Sequence, residues 1–237
     1  MSIDIIVISN MARLDLLQQT LGSLEGNASD KTRHSLTIVL DNPESFPFSA
    51  KKVGPATDSK IIITCDSVGA SRARNIGASS IPKYRRNKYV MFFDDDVYAL
   101  PHWDSKLMQL ADCRNNGIIS GYGHPYNHAE LKHCGQCSVD YREPLVISTV
   151  AMMMSWMLWD AVGYYTEPGG AAGGEDYDYC MRAKAKDHGF AITEPQCIIH
   201  TGLFSSSGDP IVGIDLLAKQ NAQLEQLYGI RGKVTYS

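Results

Sequence analysis

The sequence has no surplus of positive charge: 22 Lys and Arg stand against 26 Asp and Glu, a formal net charge of -4 at pH 7, with a pI near 6.0. A basic footprint for a nucleic-acid backbone is therefore missing, and nucleic acid is not an expected partner. A DNA acceptor would need a local patch built from Lys83, Arg85, Arg86 and Lys88. Long apolar runs are missing too. The longest, Val146 to Trp159, is broken by Ser148, Thr149 and Ser155 and falls short of the roughly 20 residues a spanning helix requires, so no transmembrane segment is expected. The first residues, Met-Ser-Ile-Asp, carry no basic n-region and no small-residue cleavage site, which argues against a signal peptide and for a cytoplasmic location. Neither an internal repeat nor a low-complexity linker is present. Hydrophobic content of 44% and charged content of 20% exclude a disordered, collagen-like or coiled-coil chain.

Cysteine is sparse: 6 in 237 residues, scattered, with Cys65 and Cys180 at strand-like or helical positions. That pattern suits reduced thiols better than a disulfide framework. One stretch, "GHPYNHAELKHCGQC", gathers His124, His128, His133, Cys134 and Cys137. A Cys-x-x-Cys with nearby histidines can hold zinc, but there is a single such pair, so an ordinary polar loop is the reading preferred over a structural zinc.

What the sequence does hold is an alternation of apolar strands with amphipathic helices. "IDIIVISN" is followed by "ARLDLLQQTLGSL", with Leu14, Leu17, Leu21 and Leu24 at helical spacing. "SLTIVLDN" and "KIIITCDS" repeat the strand pattern, the latter leading into the helix-like "ASRARNIGASS". "KYVMFFDDD" precedes a further helix candidate, "HWDSKLMQLADC". Strands that are nearly all apolar, alternating with helices, predict an α/β fold with a mostly parallel sheet covered on both faces. Beyond Gly117 the expected elements are short: strands at "GIISGYG", "PLVIST" and "FAITEPQCIIH", a helix from about Glu175 to His188 stopped by Gly189 after the loop "EPGGAAGGED", and a terminal helix "DLLAKQNAQLEQLYG". The economical reading is a single domain with two functional halves.

In such sheets ligands sit outside the carboxyl ends of the strands, where Asn10, Asp41, Asp66 and the triplet Asp94-Asp95-Asp96 are expected to converge. If the strand continued through the triplet, Asp94 and Asp96 would share one face and Asp95 the other. Like charges on one face raise each other's pKa unless a cation intervenes, and an all-oxygen set suits Mg2+ or Mn2+ bound with substrate phosphates. The bland alternative is an acidic turn in water. A haloacid-dehalogenase-type motif and an EF-hand loop both fail on spacing, since Tyr98, Pro101 and Trp103 stand where their key residues belong.

In order along the chain, "IIVISN", "IVLDN", "GASRARNIG", "FFDDDVYALPHW", "GGEDYDYCMRAKAKDHGF" and "IIH" resemble the motifs of GT-A nucleotide-sugar glycosyltransferases, in particular glycosyltransferase family 2, from Ile3 to about His200. The resemblance implies a GT-A fold, a Rossmann-like, mostly parallel sheet flanked by helices in one domain over 1–237, with a donor half at 1–116 and an acceptor half at 117–237. It implies a nucleotide-sugar donor, UDP-linked favoured, and a glycan, lipid-linked or other hydroxyl acceptor. By position, Asp41 is similar to the aspartate that contacts the donor base, with Ser9, Asn10 and Arg13 at the neighbouring lip. Arg74 and Asn75 fall beside the nucleotide. Asp96 would be the ligand of Mn2+ or Mg2+, with Asp94 a second candidate ligand and His200 completing the metal or diphosphate site. Asp94 or Asp95 would hold the donor ribose. The Gln-x-x-Arg-Trp segment of processive members is missing, which favours transfer of single sugars.

The reaction needs charge stabilisation on the departing diphosphate and a base for the attacking hydroxyl. Asp176 is the candidate base, with Glu175 in reserve. Glu175, Asp176 and Asp178 are also what an ordinary helix N-terminus favours, but the glycines at 169, 170, 173 and 174 fit an acceptor lid. Trp156 and Trp159 are candidate sugar-stacking residues, although aromatic side chains in so apolar a segment suit a core equally. Arg72 and Arg74, two apart on a helix, cannot both face a phosphate. A retaining enzyme of the same fold, a nucleotidyltransferase and a non-catalytic sugar-nucleotide-binding protein are the rival readings. The second is disfavoured by "SNMARLD", which has no glycine for its usual loop.

Overall fold

The computed structural model describes residues 2–10, 13–29, 34–41, 59–64, 68–114, 117–123, 130–166 and 175–201. Residues up to His200 form one compact unit. The expected terminal helix, Asp66, His124, His128 and the glycines at 169–174 lie outside the described residues.

The first half is the expected alternation: β1 (Ile3–Asn10), α1 (Leu14–Gly26), β2 (Ser35–Asp41), β3 (Ser59–Ile63), α2 (Ala70–Ser79) and β4 (Tyr89–Phe93). A short strand β5 (Val97–Ala99) and α3 (Trp103–Cys113) follow. The second half contributes β6 (Ile118–Ser120), β7 (Leu131–Cys134), β8 (Val139–Arg142), β9 (Ala151–Ser155), α4 (Trp156–Val162), α5 (Glu175–Lys184), β10 (Phe190–Glu194) and β11 (Ile198–His200). Among the described residues, nine strands form one sheet in the order β3-β2-β1-β4-β9-β6-β10-β8-β7, and β5 pairs with β11 in a separate ribbon. β1 through β4 are mutually parallel, as are β6 and β10, while β9 runs against both of its neighbours.

The apolar strands are apolar for a reason the sheet makes plain. Alternate residues enter different cores: Ile3, Ile5, Val7, Met91 and Phe93 pack with Leu17, Leu24 and Trp103 on one face, and Ile6, Ile8, Val90 and Phe92 pack with Ala73, Ala78 and Trp159 on the other. A strand covered on both faces has no polar side to alternate with. The fit of α2 is especially close, because a Cβ on Gly77 would lie 2.5 Å from Ile6 Cγ2 and 3.2 Å from Val39 Cγ2.

Three expectations change. Residues 144–149 are not a strand: Ile147 is held by Cys180 of α5 through its N–H at 3.3 Å, and pairing with β4 falls to Ala151–Ser155. The strand does not run through the aspartates either. β4 stops at Phe93 and the triplet bridges to β5 as a turn, so strand alternation does not set its side chains. Finally, α5 ends at Lys184 rather than at His188. Asp187 takes the left-handed conformation with φ 61°, and the His188 N–H reaches back to the Ala183 carbonyl at 3.2 Å, which closes the helix before Gly189.

Candidate active site

Because β1, β2 and β4 are parallel, their carboxyl ends share one edge, and Asn10 stands opposite Asp41 in register. The triplet follows β4 directly onto this edge. Its carboxylates divide between two guanidinium groups. Asp95 accepts a hydrogen bond from Ser9 Oγ at 2.6 Å and lies 3.4 Å from Arg13 Nη1. Asp96 lies 3.6 Å from the same Nη1 and 3.1 Å from His200 Nε2. Asp94 turns the other way, onto Arg74 Nη2 at 2.5 Å. Asp95 and Asp96 are 3% and 4% exposed, whereas the Asp94 side chain is 26% exposed, so Asp94 is the most exposed of the three.

The turn is held from below by residues the sequence did not single out. Thr20 Oγ donates to the carbonyls of Asp95 or Val97, at 2.7 and 2.9 Å, and accepts from the Val97 N–H. Asn27 donates to the Ala99 carbonyl at 2.7 Å. A threonine inside an amphipathic helix and an asparagine just past its end carry no local signal of this use. Tyr122 lies edge-on to His200 with ring centroids 5.5 Å apart.

Electrostatics follows burial. Burial drives the Asp95 pKa up to about 7, against the lowering effects of the Ser9 hydrogen bond and the Arg13 charge. Burial alone would lower the His200 pKa, but the hydrogen bond and charge of Asp96 prevail and raise it. Desolvation likewise opposes the charge on Arg74, and Asp94, Tyr165 and Glu175 together overcome it.

Arg74 is fully enclosed at 1% exposure and reaches two carboxylates, Asp94 and, through Nη1, Glu175 Oε1 at 3.3 Å. Glu175 opens α5, so this buried cation ties the start of α5 to the end of β4. Asp176 comes next, partly exposed, with Oδ1 accepting from the Tyr177 N–H at 2.7 Å. Burial first, then the charge of Glu175, raise its pKa against the opposing Tyr177 amide and Arg74.

The other candidates divide. Asp41 accepts from Thr64 Oγ at 2.8 Å and from the backbone N–H groups of Val68 at 2.8 Å and Gly69 at 3.0 Å, ordering the approach to α2. Asn75 clamps the Tyr165 backbone, donating to its carbonyl and accepting from its N–H, both at 2.9 Å. A groove of about 680 Å³ lined by Arg72, Asn75, Ser79 and Tyr164 runs beside α2 and contains none of the carboxylates. Trp156 and Trp159 are 5% and 3% exposed. The Trp156 indole donates to Asp4 Oδ2 at 2.7 Å, near the start of β1 and so at the opposite end of that strand from the carboxylate edge. Trp159 packs on Phe92, Tyr165 and Tyr179. Both are core residues with no free face for a sugar.

No protein-family model and no curated protein sequence matches the chain, but solved structures do. A crystal structure of GalNAc-T7 with UDP, GalNAc and Mn2+ superposes with a TM-score of 0.69 at 11% identity, over 84% of this chain and 43% of that one. The fold is GT-A. Residues 1–349 of S. aureus TarS in complex with UDP-GlcNAc give a TM-score of 0.62 at 17% identity, over 81% of this chain and 56% of that one. The chain thus spans about half the length of each. The aspartate triplet follows the fourth strand, and Glu175 at the start of α5 shares Arg74 with Asp94.

Among the described residues, no helix is long and apolar enough to cross a membrane.

Proposed function

We propose that the chain is a metal-dependent, inverting, non-processive glycosyltransferase that moves one sugar from a nucleotide diphosphate sugar to a hydroxyl acceptor. UDP is the favoured nucleotide, since UDP and UDP-GlcNAc are the ligands of the GT-A structures above. The observation that carries the reading is the double ion pair of buried Arg74 with Asp94 and Glu175. It brings a donor-side carboxylate and the base-bearing helix to one cation.

The donor set fits Mn2+ or Mg2+. Asp96 offers carboxylate oxygen and His200 an imidazole nitrogen at one place, with the partly exposed Asp94 carboxylate on the same turn, a donor set that such cations accept. Asp94, Asp96 and His200 do not bring three donor atoms within 4.8 Å of one another. Asp96 with His200 would therefore hold the ion, and diphosphate oxygens and water would complete its shell, the usual mode for hard cations at phosphate sites. When bound, the ion supplies electrostatic stabilisation to the leaving diphosphate.

The chain's own residues do the rest. Ser9 and Arg13 fix Asp95 and orient Asp96 toward His200. Asp94, anchored on Arg74 yet partly exposed, binds the donor ribose, and Asp41 with Asn10 borders the base. Glu175 is engaged by Arg74, which leaves Asp176 to accept the acceptor's proton. Its raised proton affinity matches that role better than an ordinary aspartate would.

Calorimetric titration of UDP, GDP and their common sugar conjugates, with Mn2+ and with EDTA, tests the donor site. One nucleotide is expected to bind wild type only with metal, and Asp96→Ala is expected to abolish that binding. Asp176→Asn should keep it while lowering turnover about 10²–10⁴-fold. Nucleotide binding indifferent to both metal and Asp96, or no binding at all, would sink the mechanism.

A further inference from the structure

Away from the carboxylate edge, three cysteines distant in sequence meet. Cys113 is the last residue of α3, Cys134 the last of β7, and Cys137 lies in the turn that leads to β8. Their sulfur atoms all lie within 4.8 Å of one another, and all three are reduced and partly buried. β7 is the edge strand, separated from β4 by β9, β6, β10 and β8, so this cluster is independent of the active site.

The turn after β7 closes on the Cys134 carbonyl. The N–H groups of Cys137 and Ser138 donate to the Cys134 carbonyl at 3.3 and 2.8 Å, and Ser138 takes the left-handed conformation with φ 55°. The thiolate is the form of cysteine that ligates metal. A disulfide would use two of the three sulfurs at about 2.05 Å. A single tetrahedral zinc uses all three, because Zn–S bonds of about 2.3 Å place the sulfurs about 3.8 Å apart, within the spread observed.

We propose that Cys113, Cys134 and Cys137 bind one Zn2+ ion as three thiolates and so staple the β7–β8 hairpin to the end of α3. Three S–H protons leave to solvent as three Zn–S bonds form, and the fourth tetrahedral position goes to water or a non-thiolate donor. His133 is exposed and paired with Asp140 at 2.6 Å, outside the cluster. The hairpin needs such a tie: β7 is largely exposed, and Tyr141 is the buried member of β8. Soft thiolates select zinc over the hard ions suited to Asp96, so the two sites do not compete.

The test is metal content of the full chain, purified under reducing conditions and reconstituted with Zn2+, then measured by elemental mass spectrometry. Wild type and a Cys197→Ser control should hold one zinc per chain, and Cys113→Ser and Cys137→Ser should lose it while keeping the wild-type far-UV circular dichroism. Co2+ in place of zinc should give a thiolate-to-metal charge-transfer band, weaker by about a third in any Cys113→Ser protein that still binds, since one of three thiolates is gone. Wild type that takes up neither Zn2+ nor Co2+, zinc retained unchanged in both variants, or a Cys134–Cys137 disulfide in place of metal would each overturn the proposal.

Discussion

Asp176, the base of the proposed mechanism, is partly buried, and pH should reveal its role. Its pKa is raised above the ordinary value of 3.8, chiefly by desolvation and then by Glu175. A base works only when deprotonated, so kcat/KM is expected to be full at neutral pH and to fall as pH drops through a value above 3.8. Asp176→Asn should remove that acid limb along with most of the rate, as a pH–rate profile would show. The residue scale also shows how differently three adjacent aspartates behave. Asp95 and Asp96 are buried on Arg13, while Asp94 is half turned to solvent on Arg74. Composition and spacing identify the triplet but cannot distribute it, since its partners Arg13, Arg74 and His200 arrive from separate parts of the chain.

At the scale of elements, α2 is seated on β1 and β2 by a glycine. Gly77→Ala places a methyl 2.5 Å from Ile6 Cγ2, so α2 or the Ile6 side chain must shift, and is expected to lower stability by about 1–3 kcal/mol in urea unfolding. The same displacement carries Arg74, on the adjoining turn, away from Asp94, so metal-dependent nucleotide binding should weaken as well. Unchanged stability in this variant would show that α2 does not pack as described. The helix α1 was legible from leucine spacing, and α2 and α3 from helix-like stretches that follow apolar strands, as were the strands of the parallel half. The β7–β8 hairpin and the true position of β9 were not. Short strands whose residues alternate little, such as "LKHC" and "AMMMS", differ from loops only in what they pair with, and β9 is selected by its backbone bonds to β4.

Across the whole molecule, Arg74 is the joint between the end of β4 and α5. Arg74→Met fills similar volume but leaves Asp94 and Glu175 without their cation. A loss of about 3–5 kcal/mol is expected from thermal or urea unfolding, the range for breaking a buried pair. Loss of the guanidinium also removes a charge that lowers the Asp176 pKa, so any remaining activity should show its acid limb at still higher pH. Stability equal to wild type would mean that the two halves are held together elsewhere. The sequence alone determined the α/β class, the order of elements in the first half and the gathering of acidic residues at the strand ends, because apolar periodicity and turn chemistry are local properties of the chain. The tertiary structure decided which charges meet. Arg74 finds Glu175 across 101 positions and Cys113 finds Cys134 and Cys137 through the docking of a hairpin on a helix. Contacts of that span are set by how packed elements register in space, and no local pattern encodes them.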